Sequence, residues 1–121
     1  MTIEQGNLYW VRLSGQESIG NDVTHPHVVI QVDLLNQSRI PTTVVRALST
    51  NLGKVQMAGN VLLSEGEGNL PKQSVVVVSQ LSVVEKTSLT ESIGELGPER
   101  IEEILAGISF QTKLVSGRDR Q

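Results

Sequence analysis

The amino-acid sequence predicts one small domain, mainly β with α, built as a partly closed β-barrel of five to six mostly antiparallel strands with a C-terminal helix. The 121 residues suffice for a single packed core, and the apolar 38 % of the chain is mostly Val, Leu and Ile. In the first two-thirds, short apolar or alternating runs lie between polar and glycine-rich stretches, which is typical of strands. The last third has apolar residues at helical spacing. We expect the domain to span residues 1–121, with residues 116–121 as a flexible polar tail.

The predicted strands are recognised by their apolar pattern. In the second of them, Val28, Ile30 and Val32 fall on one face, because successive strand residues point to opposite sides. The predicted strands are Asn7–Leu13, His27–Asp33, Thr42–Ser49, Asn60–Leu63 and Ser74–Ser79, with Leu81–Glu85 continuing the sheet after a bend.

The segment Ser74–Ser79 differs from the others because it is apolar on both faces. Such a run suits a strand that is central in the sheet or covered by another subunit. The sequence offers no second helix to cover it, so we predict a homodimer with a two-fold contact through Val75–Val78.

The predicted helix runs from about Pro98 to Val115. Proline in the first turn and the acidic residues that follow it favour a helix start, because that end carries a partial positive charge. Ile101, Ile104 and Ile108 then form an apolar stripe that should pack on the sheet.

The net charge of −3 is unevenly distributed. Residues 1–64 carry four basic and four acidic side chains, whereas residues 65–121 carry six basic and nine acidic ones. An anionic ligand should therefore bind the first half of the chain. With Tyr9, Trp10 and Phe110 as the only aromatic residues, few bases could stack on aromatic rings.

Several classes of protein are disfavoured by what the sequence lacks. There is no cysteine for a disulfide or a thiolate metal site, and no phosphate loop or dinucleotide fingerprint, so we expect no cofactor and no metal. No apolar run has the length of a membrane span, and the first residues have no signal-peptide pattern. We therefore expect a cytoplasmic protein with no membrane partner.

The pair His25 and His27, separated by Pro26, is the most distinctive chemical feature. Alternate residues of a strand point to the same side, roughly 7 Å apart, a spacing that could bracket a phosphodiester. Histidine also gives and takes protons near neutral pH. The alternatives are an exposed pair without a role and, less favoured for lack of a third ligand, a zinc site. Weaker candidates for a site are Glu17, Ser49, Thr50, Arg12, Arg39 and Arg46. Without further evidence, these residues indicate a β-rich domain that could bind an anion.

Six short segments in a fixed order resemble the MazF/PemK toxin family. The first resembles its G-D-hydrophobic-x-W-V strand, the second its G-S-E loop, and the third its R-P-x-V-V strand. The fourth falls where the family has a strand ending in threonine or serine, the fifth resembles a strand ending in glutamine and followed by D-K, and the sixth resembles I-G-x-L. In this chain they are Gly6–Val11, Gly15–Glu17, His25–Ile30, Val44–Ser49, Ser74–Leu81 with Glu85-Lys86, and Ile93–Leu96.

The resemblance implies an SH3-like or CcdB-like barrel that forms a symmetric dimer. It further implies a toxin of a toxin-antitoxin system that cleaves single-stranded RNA, such as mRNA, without a metal. The 2′-hydroxyl attacks the adjacent phosphorus, leaving a cyclic phosphate and a free 5′-hydroxyl. A cognate antitoxin would block the same groove, with an acidic or amphipathic tail over His25 and Arg46.

Carried over by position, the resemblance also implies roles for particular residues. The phosphate-facing arginine of the family falls on His25, the strand-end hydroxyl on Ser49, and the loop glutamate on Glu17. These three are the predicted catalytic residues, and the family's glutamine falls on Gln80, a predicted RNA-binding residue. The other predicted RNA-binding residues come from the chain's own side chains and are His27, Arg46 and Thr50.

Histidine at position 25 leaves two other functions open. Arginine is a permanent cation with a forked set of donors, whereas histidine is cationic only below its pKa. A catalytically weakened member that survives as a binding module is therefore one alternative. A CcdB-like gyrase-binding toxin is less favoured, because the last residues, SGRDRQ, lack the terminal tryptophan of that protein.

Overall fold

Six antiparallel strands form one sheet in the order β4-β5-β3-β2-β1-β6 in the computed structural model, which describes residues 2–12 and 24–112. The sheet curls into a half-barrel that is followed by a C-terminal helix, so the predicted fold class is confirmed. The strands are β1 Asn7–Arg12, β2 Thr24–Val29, β3 Thr42–Ser49, β4 Val61–Leu63, β5 Ser74–Glu85 and β6 Leu89–Glu95. The helices are α1 Asp33–Asn36 and α2 Pro98–Thr112.

The sheet has an apolar cluster on each side, as strand alternation requires. Leu8 and Val28 belong to the larger cluster, which includes Ile104 of α2 and therefore lies on the helix side. Tyr9 and Val29, the next residues along, belong to a second cluster on the opposite side. His25 and His27 alternate with Val28, so both project away from α2.

The predicted strand His27–Asp33 is wrong in its second half. β2 ends at Val29, and α1 begins at Asp33. The buried side chain of Asn36 donates to the Gln31 carbonyl (2.7 Å) and accepts from Thr43 Oγ1 (2.8 Å). These side-chain hydrogen bonds favour a turn over a continued ladder.

Strand β6 was missed by the sequence prediction. It pairs with β1 at the edge of the sheet, and most of its residues are exposed or half-buried. An edge strand of this kind lacks the alternating apolar face on which the prediction depended.

Strand β5 is covered within the chain. It lies between β3 and β4, with α2 packed against it, and Val75–Val78 are all buried. Of the two alternatives for this run, the central strand is therefore the correct one, and the run gives no support to a dimer contact. The predicted continuation Leu81–Glu85 is confirmed as the second half of the same strand.

Helix α2 approaches the chain closely at Gly107. A Cβ atom there would lie 1.9 Å from the Gly59 carbonyl oxygen, so only glycine permits this contact. One turn later, Gln111 Nε2 donates to the Ala58 carbonyl (2.8 Å) and to Asn60 Oδ1 (3.3 Å). The helix thereby braces the connection between β3 and β4. Residues 113–115 of the predicted helix lie outside the described residues, as does the predicted tail.

No helix in the described part of the chain is long and apolar enough to cross a membrane.

Candidate active site

A cavity of about 330 Å³ lies where β2, β3 and β5 meet the β3–β4 connection. Antiparallel register places His27 opposite Ala47, so the side chains of these neighbouring strands share one side of the sheet. The cavity is lined by His25, His27, Ala47, Leu48, Ser49, Lys54 and Gln80.

A β-bulge brings Gln80 to this cavity. Arg46 pairs with Leu81, but the next residue of β3, Ala47, pairs with Val77, so Val78–Gln80 form extra length on β5. Such a bulge bends its strand and re-aims a side chain. The Gln80 side chain is exposed and has no hydrogen bond to the described residues, which leaves its amide for a ligand.

His27 is a neutral hydrogen-bond acceptor on the side that faces the cavity. Its Nδ1 lies 2.9 Å from the His25 carbonyl oxygen, which can only accept, so we assign the ring hydrogen to Nδ1. Burial is the main cause that lowers the pKa of His27 below 6.5, which keeps Nε2 unprotonated at neutral pH. The His27 ring lines the cavity although only 1 % of the residue is exposed.

His25 has the opposite environment. Its side chain is exposed at the rim of the same cavity. The two histidines therefore lie on one side of β2, as their spacing predicted, but one is solvated and the other is almost fully buried.

The Ser49 hydroxyl is oriented by the backbone that follows it. Its Oγ accepts from the Asn51 backbone N–H (3.1 Å), which leaves the hydroxyl hydrogen free to donate into the cavity. Asn51 in turn caps the 3₁₀ turn Leu52–Gln56 by accepting from the Gly53 N–H (3.1 Å). This turn brings Lys54 back beside Ser49, and no spacing pattern in the sequence signals that placement.

Two other predicted site residues lie elsewhere. Arg46 is buried, and strand alternation puts it with Leu48 on the α2 side of β3, where its Nε donates to the Val78 carbonyl (2.7 Å). Burial lowers the pKa of this guanidinium. Thr50 is exposed and does not line the cavity. The expected groove over His25 and Arg46 is therefore not present in that form.

The predicted catalytic residue Glu17 lies outside the described residues. Within residues 2–12 and 24–112, no group of three or more His, Cys, Asp or Glu side chains is arranged to hold a metal ion.

The fold and the cavity define a class: a small half-barrel protein with paired histidines and a strand-end hydroxyl on the side of the sheet away from its helix. The family model of the PemK-like, MazF-like toxins of type II toxin-antitoxin systems matches residues 4–111. The chain therefore belongs to this family, and the resemblance found in the sequence is confirmed.

Curated relatives include endoribonuclease MazF6 of Mycobacterium tuberculosis, which is 32 % identical over 108 residues, 89 % of this chain and 95 % of that protein. Endoribonuclease EndoA of Bacillus subtilis is 24 % identical over 115 residues, 95 % of this chain and 98 % of that protein.

Solved structures share the fold at low sequence identity. The Mycobacterium tuberculosis toxin MazF-mt6 matches with a TM-score of 0.73 and 16 % identity, covering 90 % of this chain and 98 % of that one. An endoribonuclease in complex with its cognate antitoxin, from a mycobacterial species, matches with a TM-score of 0.71 and 15 % identity, covering 94 % of this chain and 96 % of that one.

Proposed function

We propose that this protein is the toxin of a type II toxin-antitoxin pair and acts as an endoribonuclease on single-stranded RNA. The observation that carries the proposal is the cavity itself, which holds a buried neutral histidine, a solvated histidine and a free hydroxyl donor. The family and the relatives named endoribonucleases agree with it. Such a toxin acts in the cytoplasm, where messenger RNA and the antitoxin are made.

The geometry supports 2′-hydroxyl attack as the reaction. Nε2 of His27 takes the proton of the 2′-hydroxyl as the O2′–phosphorus bond forms. The bond from phosphorus to O5′ breaks, and protonated His25 supplies the proton to that leaving oxygen. The products are a 2′,3′-cyclic phosphate and a free 5′-hydroxyl. Because both protons are handled by side chains, we propose that no metal or other cofactor is required.

The remaining residues bind the RNA. The Ser49 hydroxyl donates to a phosphoryl oxygen, where negative charge increases in the transition state. The Gln80 amide holds the nucleotide against the bulge of β5. Glu17 lies outside the described residues, and its role as a catalytic residue remains a prediction from the sequence.

The first test is cleavage of single-stranded RNA by the wild-type protein in the presence of EDTA. We expect fragments that end in a 2′,3′-cyclic phosphate, detected by mass spectrometry, and double-stranded RNA of the same sequence should stay intact. RNA that is bound but never cut would support the alternative of a weakened binding module. RNA that is neither bound nor cut would contradict the proposal.

We also propose that a cognate antitoxin covers this cavity with an acidic or amphipathic tail. Because Arg46 is buried, the tail would lie over His25 and Gln80. One structural relative is complexed with its cognate antitoxin, which supports this arrangement. In the same cleavage assay, the product of a small neighbouring gene should abolish fragment formation at an equimolar ratio, and an unrelated acidic protein should not.

We further propose that the protein is a homodimer, with a different contact from the one first predicted. Leu81 and Val83 point to the same side of β5 and are 53 % and 62 % exposed. Adjacent apolar side chains of this size on a sheet surface favour association. We expect a dimer by sedimentation at micromolar concentration and a monomer for Val83→Glu, because a charge cannot be buried across a two-fold contact. A wild-type protein that sediments only as a monomer would contradict the dimer.

A further inference from the structure

A second cavity of about 310 Å³ adjoins the first. Lys54 and Gln80 line both of them, so these two side chains stand at the junction. The other lining residues of the second cavity are Gly53, Met57, Asn60, Val77 and Ser79.

Among the described residues that line this double cavity, Lys54 is the permanent cation. His27 is neutral at pH 7, and a histidine such as His25 is cationic only when protonated. Among the residues that line either cavity in the described part of the chain there is no Asp or Glu. The Lys54 ammonium makes no hydrogen bond or ion pair with any described residue, so its charge is directed at whatever enters.

The backbone of Lys54 is held in place from three directions. Its N–H donates to the Asn51 carbonyl (3.1 Å), and its carbonyl accepts from Asn60 Nδ2 (2.9 Å) and from the Met57 N–H (3.2 Å). Asn60 Oδ1 also accepts from the backbone N–H of Val78 in the β5 bulge (3.2 Å). The lysine is half-buried on this fixed backbone, which lowers the entropy that its side chain loses when a ligand binds.

We propose that Lys54 is the phosphate-binding cation of the site and contacts a backbone phosphate of the RNA at the junction. The nucleotides on either side of that phosphate then lie in the two cavities. The inference rests on the proposed function. It also accounts for how a chain of net charge −3 holds a polyanion, since the positive charge is local and no described residue that lines the two cavities is acidic. Ser49 stabilises the negative charge on the phosphoryl oxygens by a hydrogen bond, and Lys54 then stabilises the same charge by its own positive charge.

The test is binding of a single-stranded 2′-O-methyl RNA, which lacks the nucleophile and is not cleaved, measured by fluorescence anisotropy across a range of salt concentrations. Lys54→Met keeps the length of the side chain and removes its charge. We expect binding about tenfold weaker at low salt, and a log–log salt slope reduced by about 0.7, the value for one lost contact to single-stranded nucleic acid. Lys54→Arg should restore both. Lys72→Met is the matched control, because Lys72 is exposed and lines neither cavity.

The outcomes separate this inference from the proposed function. If the wild type cleaves RNA but Lys54→Met binds with the same affinity and salt slope as Lys72→Met, the role of Lys54 is overturned and the endoribonuclease stands. If the wild type binds with a salt slope that depends on Lys54 yet never cleaves, Lys54 is the phosphate-binding residue and the proposed reaction is wrong. If the wild type does not bind RNA, both are overturned.

Discussion

The His25→Ala variant should cleave single-stranded RNA at least about 10² times more slowly than the wild type, as expected when a donor at the reacting phosphate is removed. His25 is exposed at the rim of the cavity, so the substitution removes the proton donor with little effect on packing. The measurement is a single-turnover rate with saturating protein, which excludes changes in affinity. A thermal unfolding curve close to that of the wild type is the control for folding.

The His25→Arg variant then shows whether the histidine acts as a proton donor or marks a weakened member of the family. Arginine cannot give up its proton at neutral pH, whereas histidine can. If His25 supplies the proton to O5′, as we propose, the arginine variant should also be slower than the wild type, even though it carries a permanent charge. A strong gain in rate would mean instead that the natural histidine marks a weakened member of the family. If the wild type and His25→Ala both leave RNA intact, the binding-module alternative is correct.

The strands that bury a face were predictable from the sequence, and the elements that depend on tertiary contacts were not. Strands β1 to β5 each carry apolar residues toward a core, so their alternation or their fully apolar runs appear in the sequence. Strand β6 is an exposed edge and has no such pattern. The short helix α1 depends on the hydrogen bonds of Asn36 to Gln31 and Thr43, which no periodicity indicates.

The site shows the same division. His25, Ser49 and Gln80 were predicted from position in the family pattern and His27 from its spacing to His25, and the structure brings all four to one cavity. Arg46 was expected there because its guanidinium could pair with a phosphate. The Val78 carbonyl in the bulge of β5 instead accepts a hydrogen bond from the buried Arg46 side chain. No pattern in the sequence predicts that bulge. Lys54 was missed because a capped 3₁₀ turn, with no motif of its own, brings it to the cavity.

The His27→Gln variant should lose about 10²–10³ in the rate of RNA cleavage, as expected when a general base is removed. Glutamine keeps a neutral side chain with a donor for the His25 carbonyl but has no nitrogen that can take a proton. The stronger readout is the pH profile. Because burial lowers the pKa of His27, the acidic decline in kcat/KM of the wild type should begin below pH 6.5, where Nε2 becomes protonated. This acidic decline should be absent in His27→Gln and retained in His25→Gln.

Folding stability must be followed over the same pH range, because it depends on the same proton. The unfolded chain binds a proton at His27 near pH 6.5, whereas the folded chain resists it, so the free energy of unfolding should decrease as the pH falls below that value. Chemical unfolding at each pH shows whether the protein is still folded where the rate declines. If His27→Gln flattens the stability profile but leaves the rate and its acidic decline unchanged, His27 is a buried structural histidine. The proton of the 2′-hydroxyl would then pass to another group, and Glu17 is the remaining predicted candidate.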